Sequence, residues 1–506
     1  MKKPETPKLE TLPNPWKQRN NKRLYENPWF CLDEDDVINP GGGLSHYGKI
    51  LFKNIAIGII PLDEDNNTAT NVRKTMGDPL HSQPAAVVYG GTAAAPEVVI
   101  YTATNDGYLH AIDGATGEEL WAYIPQALLG NLTRLYFDPA AKYKQYGLDG
   151  NIVPVVRDVD DDGVIESGDG DFVIIIFGMR RGGNDYFAIN VTDKTQPELL
   201  WKTSLPQAGE SWSTPVVARV KIDDGSTQNA LNAVVVIGGG YDTVHDTSAH
   251  PASADGVGTG VHFLDLVSGA PLWRAGPDGG ANLTLDTNNR EMTRAIPNEV
   301  RVIDLNGDQL ADRMYATDLG GQVWRFDITN GNPVGTLVAG GIIARLGAEG
   351  TSNPSAAETR RFYNAPDVSL VTDAEQQRRY ISVSVGTGYR AHPFDLSAAD
   401  RFYSVRDPDV FNLLPQDDYN SYDIAEDGDL VEVSGKVNTV VTSSDRGWKF
   451  TLPANQKVLS DSITFNDEVI FVAFSPETVP GNSCISRGAN YLYRMSAING
   501  DPIVPN

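Results

Sequence analysis

One short unit recurs along this chain and limits its fold more than any other feature. Its first copy is a β-type run from Val98 to Ala103, followed by the tight-turn signal Asn105-Asp106-Gly107. A strand from Tyr108 to Asp113 comes next, then a Thr116-Gly117 turn and a strand ending in Leu120-Trp121. The unit returns as Phe172 to Phe177, Asn184 to Asn190 and Leu200-Trp201. It returns again as Ala233 to Ile237, Gly260 to Asp265, Ser268-Gly269 and Leu272-Trp273. A further copy is Arg313 to Thr317, Gly321 to Asp327 and Asn330-Gly331. Fainter copies pair Tyr380 to Val385 with Arg401 to Asp407, and Val469 to Phe474 with Asn490 to Met495. A strand-turn-strand unit cannot bury both faces alone, so a series of six predicts an all-β array of stacked blades, a β-propeller. Several copies lie farther apart than the usual 40–50 residues of a blade, so loop insertions are expected. Trp121, Trp201 and Trp273 are expected to pack between blades as core aromatics.

The insertions fall between these units. Residues 126–150 are aromatic-rich and read as a short helical excursion, 241–257 and 347–360 as polar flexible loops, and 408–445 as an acidic excursion. Residues 1–70 read as an extended, partly irregular lead-in with one apolar strand at Ile55 to Pro61, and 71–506 as the propeller domain. With 49 Gly and 31 Pro the chain suits many short strands joined by turns. A net charge of −25 argues against a nucleic-acid partner, because a surface that reads phosphates must be basic. No run of eighteen apolar residues is present, so no membrane-spanning helix is expected. The first residues lack the apolar core of a secretory signal, so the chain is either cytosolic or a piece of a longer exported protein. Two cysteines, Cys31 and Cys484, are too few for a disulfide framework; they form one clasp in an oxidising compartment or stay as thiols.

Two acidic loops carry the chemistry. In Asp304-Leu305-Asn306-Gly307-Asp308-Gln309-Leu310-Ala311-Asp312, oxygen-bearing side chains stand at positions 1, 3, 5 and 9 between two β-type runs. Calcium takes six to eight oxygens at about 2.3–2.6 Å, and Asp304, Asn306, Asp308, the Leu310 carbonyl and Asp312 are the candidates. Gln309 stands where such loops usually have Gly, and a left-handed backbone there costs on the order of 1 kcal/mol. The second loop, 158–169, has Asp158, Asp160 and Asp162 at positions 1, 3 and 5, Gly163 at 6, Ile165 at 8, Glu166 at 9 and Asp169 at 12. Asp, Asn and Gly also build ordinary Asx turns, so solvated acidic loops are the alternative to metal sites.

No phosphate-binding glycine loop, H-E-x-x-H or G-x-S-x-G motif is present. His81, within Gly77 to Pro84, is assigned a structural hydrogen bond, and His110 and His262 a packed position inside blade strands.

Gly77-Asp78-Pro79-Leu80-His81-Ser82-Gln83-Pro84, Thr104 to Asp113 with its Thr-Gly-Glu-Glu-Leu-Trp tail, Phe177 to Asp193 and Asp304 to Asp327 resemble, in order, the C-terminal domain of PilY/PilC-type pilus tip-associated proteins. The resemblance spans roughly residues 70–500. It implies a modified seven-bladed propeller with quinoprotein-like blades, exported through the periplasm and carried on the bacterial surface at or near the tip of a type IV pilus. It also implies support of pilus extension against retraction, surface attachment and twitching motility. The implied partners are pilins or minor pilins and a host or abiotic receptor. The family's nine-residue calcium loop maps onto Asp304, Asn306, Asp308 and Asp312, with occupancy linked to extension or retraction. Family members are longer and carry a signal peptide, so the chain is expected to be a C-terminal half. No enzymatic activity is expected. The rival reading is a quinoprotein-type dehydrogenase propeller using calcium and pyrroloquinoline quinone, and it is disfavoured because the acids cluster within single loops and the two cysteines are not adjacent.

Overall fold

The structure, a computed structural model, describes residues 17–26, 30–38, 44–52, 76–137, 144–225, 230–247, 253–287, 289–348, 355–477 and 487–503. The chain divides into two compact units, Met1–Met76 and Gly77–Asn506.

The first unit holds a three-stranded antiparallel sheet of Lys17–Glu26, Phe30–Ile38 and Leu44–Phe52. The reading of residues 1–70 as an extended, partly irregular lead-in did not include this sheet. The register sets Arg23 opposite Asp33 and Lys22 opposite Glu34, so basic positions of one strand face acidic positions of the next. Charged residues at facing positions of the register leave no apolar alternation for a sequence reading to find. The strand expected at 55–61, Cys484 and the side chain of Cys31 lie outside the described residues.

Among the described residues the second unit holds six sheets, one for each recurrence in the sequence. Blade 1 is Ala85–Thr92, Ala95–Ala103, Leu109–Asp113 and Glu119–Tyr123, paired in chain order. Blade 2 is Ile152–Arg157, Phe172–Gly178, Asp185–Asn190 and Glu198–Ser204. Blade 3 runs from Val216–Ile222 through Ala230–Gly238 and Val261–Asp265 to Pro271–Gly276. Blade 4 is Arg301–Ile303, Arg313–Thr317, Gln322–Ile328 and Val338–Arg345. Blade 5 begins with Asp367–Asp373, Arg378–Gly386 and Arg401–Asp407 and closes with Gly447–Thr451. Blade 6 is built on Ile463–Phe465, Glu468–Glu477 and Arg487–Ser496. Blades 1 to 4 each shift register once between the third and fourth strand, a bulge that adds twist at the same station each time.

Five of the apolar clusters lie between blades. One cluster joins blades 1 and 2 through Tyr101 and Phe187, and the next joins 2 and 3 through Trp201 and Leu264. The others join 3 to 4, 4 to 5 and 5 to 6. The recurrent Trp is the clasp. Trp121 Nε1 donates to the Lys194 carbonyl of blade 2, and Trp201 Nε1 to the Leu266 carbonyl of blade 3, each at 2.9 Å. Trp273 meets Phe326 of blade 4 edge-on, centroids 6.4 Å apart. The turn that receives Trp201 must be Gly269, because its φ is +67° and a Cβ there would lie 2.6 Å from the indole. Replacing a buried Trp of this kind with Ala costs about 3–5 kcal/mol.

The insertion at 126–150 contains the expected helix, Leu129–Phe137, and the acidic excursion contains a short one, Gln416–Asn420. His81 Nδ1 lies 2.7 Å from Asp149, His110 Nδ1 lies 2.7 Å from Glu119, and burial pushes His262 down to about 3, so it stays neutral. The loop at 241–257 is not all flexible surface, since His245 is buried against Asp255 at 2.9 Å.

Candidate metal centre

Both acidic loops join the first strand of a blade to the second. In blade 4 the last rung pairs Ile303 with Arg313, and in blade 2 it pairs Arg157 with Phe172. The residues just beyond those rungs are Asp304 and Asp312 in one loop, and Asp158 and Asp171 in the other. Neighbouring strands run about 4.8 Å apart, so the strand ends themselves bring the first and last acid of each loop together.

Between them the backbone is held by side-chain carboxylates. Asp304 Oδ1 accepts from the amides of Gly307 at 2.6 Å and Asn306 at 3.2 Å, and its Oδ2 accepts from Gln309 at 2.7 Å. Asn306 Oδ1 accepts from Asp308 N at 2.8 Å, and Asp308 Oδ1 from Leu310 N at 2.9 Å. Asp312 Oδ2 closes the loop by accepting from Leu305 N at 2.8 Å. Gln309 does adopt the left-handed conformation, φ 67°, and its side chain accepts from Arg219 at 3.0 Å.

Blade 2 repeats the frame. Asp158 Oδ2 accepts from Gly163 N at 2.9 Å, Asp162 Oδ1 from Val164 N at 2.8 Å, and Asp171 Oδ1 from Val159 N at 2.8 Å. These are the same three bonds, position for position, as those of Asp304, Asp308 and Asp312. Left-handed residues also coincide, Asp161 with Gly307 and Gly163 with Gln309. The difference is five extra residues before the closing acid, which hold a single 3-10 turn, Ser167–Asp169.

That insertion sets the end of the loop beyond Asp169, the twelfth position of the sequence reading. Asp169 stands in the exposed turn, and the acid brought beside Asp158 and Asp160 is Asp171, with one oxygen of each within 4.8 Å of the others. Glu166 contributes its amide, which donates to Asp171 Oδ2 at 3.0 Å. Asp171 was missed because a twelve-residue template ends before it. Asp158 Oδ1 is buried without a hydrogen-bond partner among the described residues. Among those residues Asp304, Asp308 and Asp312 are not gathered as closely.

The electrostatics differ as well. Burial pushes the Asp312 carboxyl up, the Leu305 amide opposes it, and the charges of Asp308 and Asp304 push the same way as burial. The Glu166 and Val159 amides instead hold Asp171 below its ordinary range. Each loop offers oxygen donors only, which is the set a hard divalent cation takes.

Directly after Asp312 lies a network the sequence did not reveal. Arg313, fully buried, donates to Asp327 at 2.6 Å and to the carbonyls of Asp409 and Asn412. Arg325 donates to Asp407 at 2.8 Å, and Asp327 also accepts from Leu414 N and the Tyr419 hydroxyl. The loop of blade 4 is thus one residue from the anchor of the acidic excursion.

Among the described residues no helix is long and apolar enough to cross a membrane. A family profile described as the PilY1 beta-propeller domain matches residues 76–418. The type IV pilus biogenesis factor PilY1 of Pseudomonas aeruginosa (strain PAO1) is 32% identical over 242 residues, covering 46% of this chain and 17% of that protein. A type IV pilus biogenesis factor PilY1 homolog of Xylella fastidiosa (strain Temecula1) is 23% identical over 435 residues, 79% of this chain and 26% of the homolog. The crystal structure of the Pseudomonas aeruginosa PilY1 C-terminal domain superposes with a TM-score of 0.53 at 22% identity, over 80% of each chain, a likeness of fold. With two thirds of its length matched by the family profile, and with one blade sheet for every recurrence in its sequence, the chain belongs to the PilY1 β-propeller family.

Proposed function

We propose that this chain is the propeller part of a type IV pilus biogenesis factor and that it binds calcium at 304–312. The observation that carries the reading is the frame of that loop. Four oxygen-bearing side chains at positions 1, 3, 5 and 9 already order the backbone, with Gln309 held at a left-handed φ of 67°. Calcium would be held by Asp304, Asn306, Asp308, the Leu310 carbonyl and Asp312, and by Asp158, Asp160, Asp162 and Asp171 in the second loop. The ion supplies the countercharge that relieves repulsion among those carboxylates. Occupancy then acts as a switch, because ordering the loop fixes Asp312 beside the Arg313 network without disturbing the blade cores. A tenfold preference for one loop state biases the equilibrium by about 1.4 kcal/mol.

In this reading the protein is not an enzyme. It sits on the bacterial surface at the pilus tip, contacts pilins or minor pilins, supports extension against retraction, and aids attachment and twitching. Titration calorimetry should show one site lost in Asp308→Ala. Cells carrying Asp304→Ala should fail to hold pili extended, whereas Asp308→Lys, with an ammonium in place of the ion, should hold them even with chelator. Unchanged isotherms, or wild-type piliation in both variants with and without chelator, would overturn the reading.

A further inference from the structure

At the other end of the first strands lies a cavity of about 580 Å³. The segment just before the first strand of every blade lines it, from Gln83 in blade 1 to Asp461 in blade 6. The site is therefore at the centre of the blade array, apart from the loops that follow the first strands. Its volume falls in the range of roughly 300–1,000 Å³ of small-molecule pockets.

Its lining is cationic for so acidic a chain, with three guanidiniums (Arg180, Arg301 and Arg390) and two carboxylates (Glu299 and Asp461). Two of the guanidiniums have partners. Arg301 is paired with Glu299, and Arg180 donates to Asp149 at 3.2 Å while lying over the Trp212 ring at 4.2 Å. Asp149 divides its charge, because His81 Nδ1 also lies 2.7 Å from it. Arg390 is different. Among the described residues no carboxylate lies within ion-pair distance of it, and its one protein hydrogen bond is long, 3.5 Å to Asn364 Oδ1. A guanidinium has five N–H donors in a planar fork suited to carboxylate and phosphate oxygens.

Three further features mark the spot. Arg180 and Leu80, both in the lining, have left-handed backbones, φ 51° and 39°, a strain that collects at binding sites. Ser82 Oγ, Asn298 Oδ1 and Asn364 Nδ2, on buried residues of the same lining, have no hydrogen-bond partner among the described residues. Burial and then the charge of Arg390 push Arg180 down to about 10, so the two guanidiniums feel one another. Two cations that repel across a polar cavity are stabilised by an anion between them.

We propose that the central cavity binds a small molecule bearing an oxyanion, carboxylate or phosphate, which Arg390 grips with Arg180 beside it. Asp461, exposed at the cavity and near Arg390, weakens that grip by its charge.

The test is calorimetry on the full chain with succinate in one arm and inorganic phosphate in the other, at constant ionic strength set by chloride. Wild type should bind at least one probe saturably, and the arm that binds identifies the class of oxyanion. Arg390→Gln should weaken binding by about tenfold or more, and Asp461→Asn, which keeps an oxygen for the Ala365 amide, should tighten it severalfold. If Arg390→Gln loses its fold, judged by circular dichroism, Asp461→Asn decides alone. No saturable heat from either probe, equal affinity in folded Arg390→Gln, or unchanged or weaker affinity in Asp461→Asn overturns the proposal.

Discussion

The loops of blades 2 and 4 occupy the same station and hold their backbones by the same three side-chain bonds, yet one has five residues more than the other before its closing acid. The shared part is pinned by the strands. Asp158 and Asp304 follow the first strand directly, and Asp171 and Asp312 precede the second directly. Sequence length between these points is free to vary, because a hairpin's last rung fixes where its ends lie. The comparison teaches that a carboxylate loop between strands is counted from the strand ends, not along a fixed template.

The largest effect that tests this equivalence is at the closing acid of blade 2. If Asp171 is the counterpart of Asp312, Asp171→Asn should weaken calcium at that loop by roughly tenfold or more, since affinity follows the count of charged ligands. Asp169→Asn, in the exposed turn, should leave it unchanged. Calorimetry with the blade 4 site removed by Asp304→Ala isolates the second loop. The reverse ranking would restore the twelve-residue spacing and break the equivalence.

A smaller effect concerns position 6, Gly163 in one loop and Gln309 in the other, at φ 82° and 67°. A non-glycine residue costs roughly 1–2 kcal/mol in the left-handed region. Gly163→Gln should therefore destabilise the protein by about 1 kcal/mol in denaturant unfolding. Gln309→Gly should stabilise it by less than that, because the contact with Arg219 is lost as well. Equal and opposite shifts would mean that the Arg219 contact contributes nothing.

What was legible in the sequence follows the same division between local and distant. Six blades were countable, because each needs a tight turn, an alternating strand and, in three, a Leu-Trp end, all within about thirty residues. Trp448 does the same work in blade 5, with Nε1 donating to the Ala497 carbonyl and its indole against Gly500, but no Leu precedes it and the acidic excursion separates its strand, Gly447–Thr451, from the third strand, Arg401–Asp407. The three acids and the Asn of the blade 4 loop were legible for the same local reason. The Arg313 and Arg325 network was not, because Asp407 and the carbonyls of Asp409 and Asn412 stand 82–99 residues away in sequence. The central cavity was hidden for that reason too, since each blade contributes only a few residues to it.

The smallest effect separates the two closing acids by their protons. In calcium-free protein Asp312 lies above its ordinary value of 3.8 and Asp171 below it. A carboxyl with a raised folded pKa holds its proton more tightly when folded, so Asp312 favours the folded state as pH falls through that raised value and disfavours it as pH rises. Asp171 acts with the opposite sign. Its stabilisation is present above the unfolded value and is lost as pH falls through the depressed one. Carboxyl NMR of the calcium-free chain should therefore show Asp312 taking up its proton at a higher pH than Asp171. In Asp308→Asn the Asp312 midpoint should move down, because Asp308 supplies part of the charge that raises it, while Asp171 in the other loop should not move. Coincident midpoints, or an Asp312 midpoint indifferent to Asp308, would mean that the blade 4 carboxylates do not share one field, and a single divalent ion would then have no concentrated charge to neutralise there.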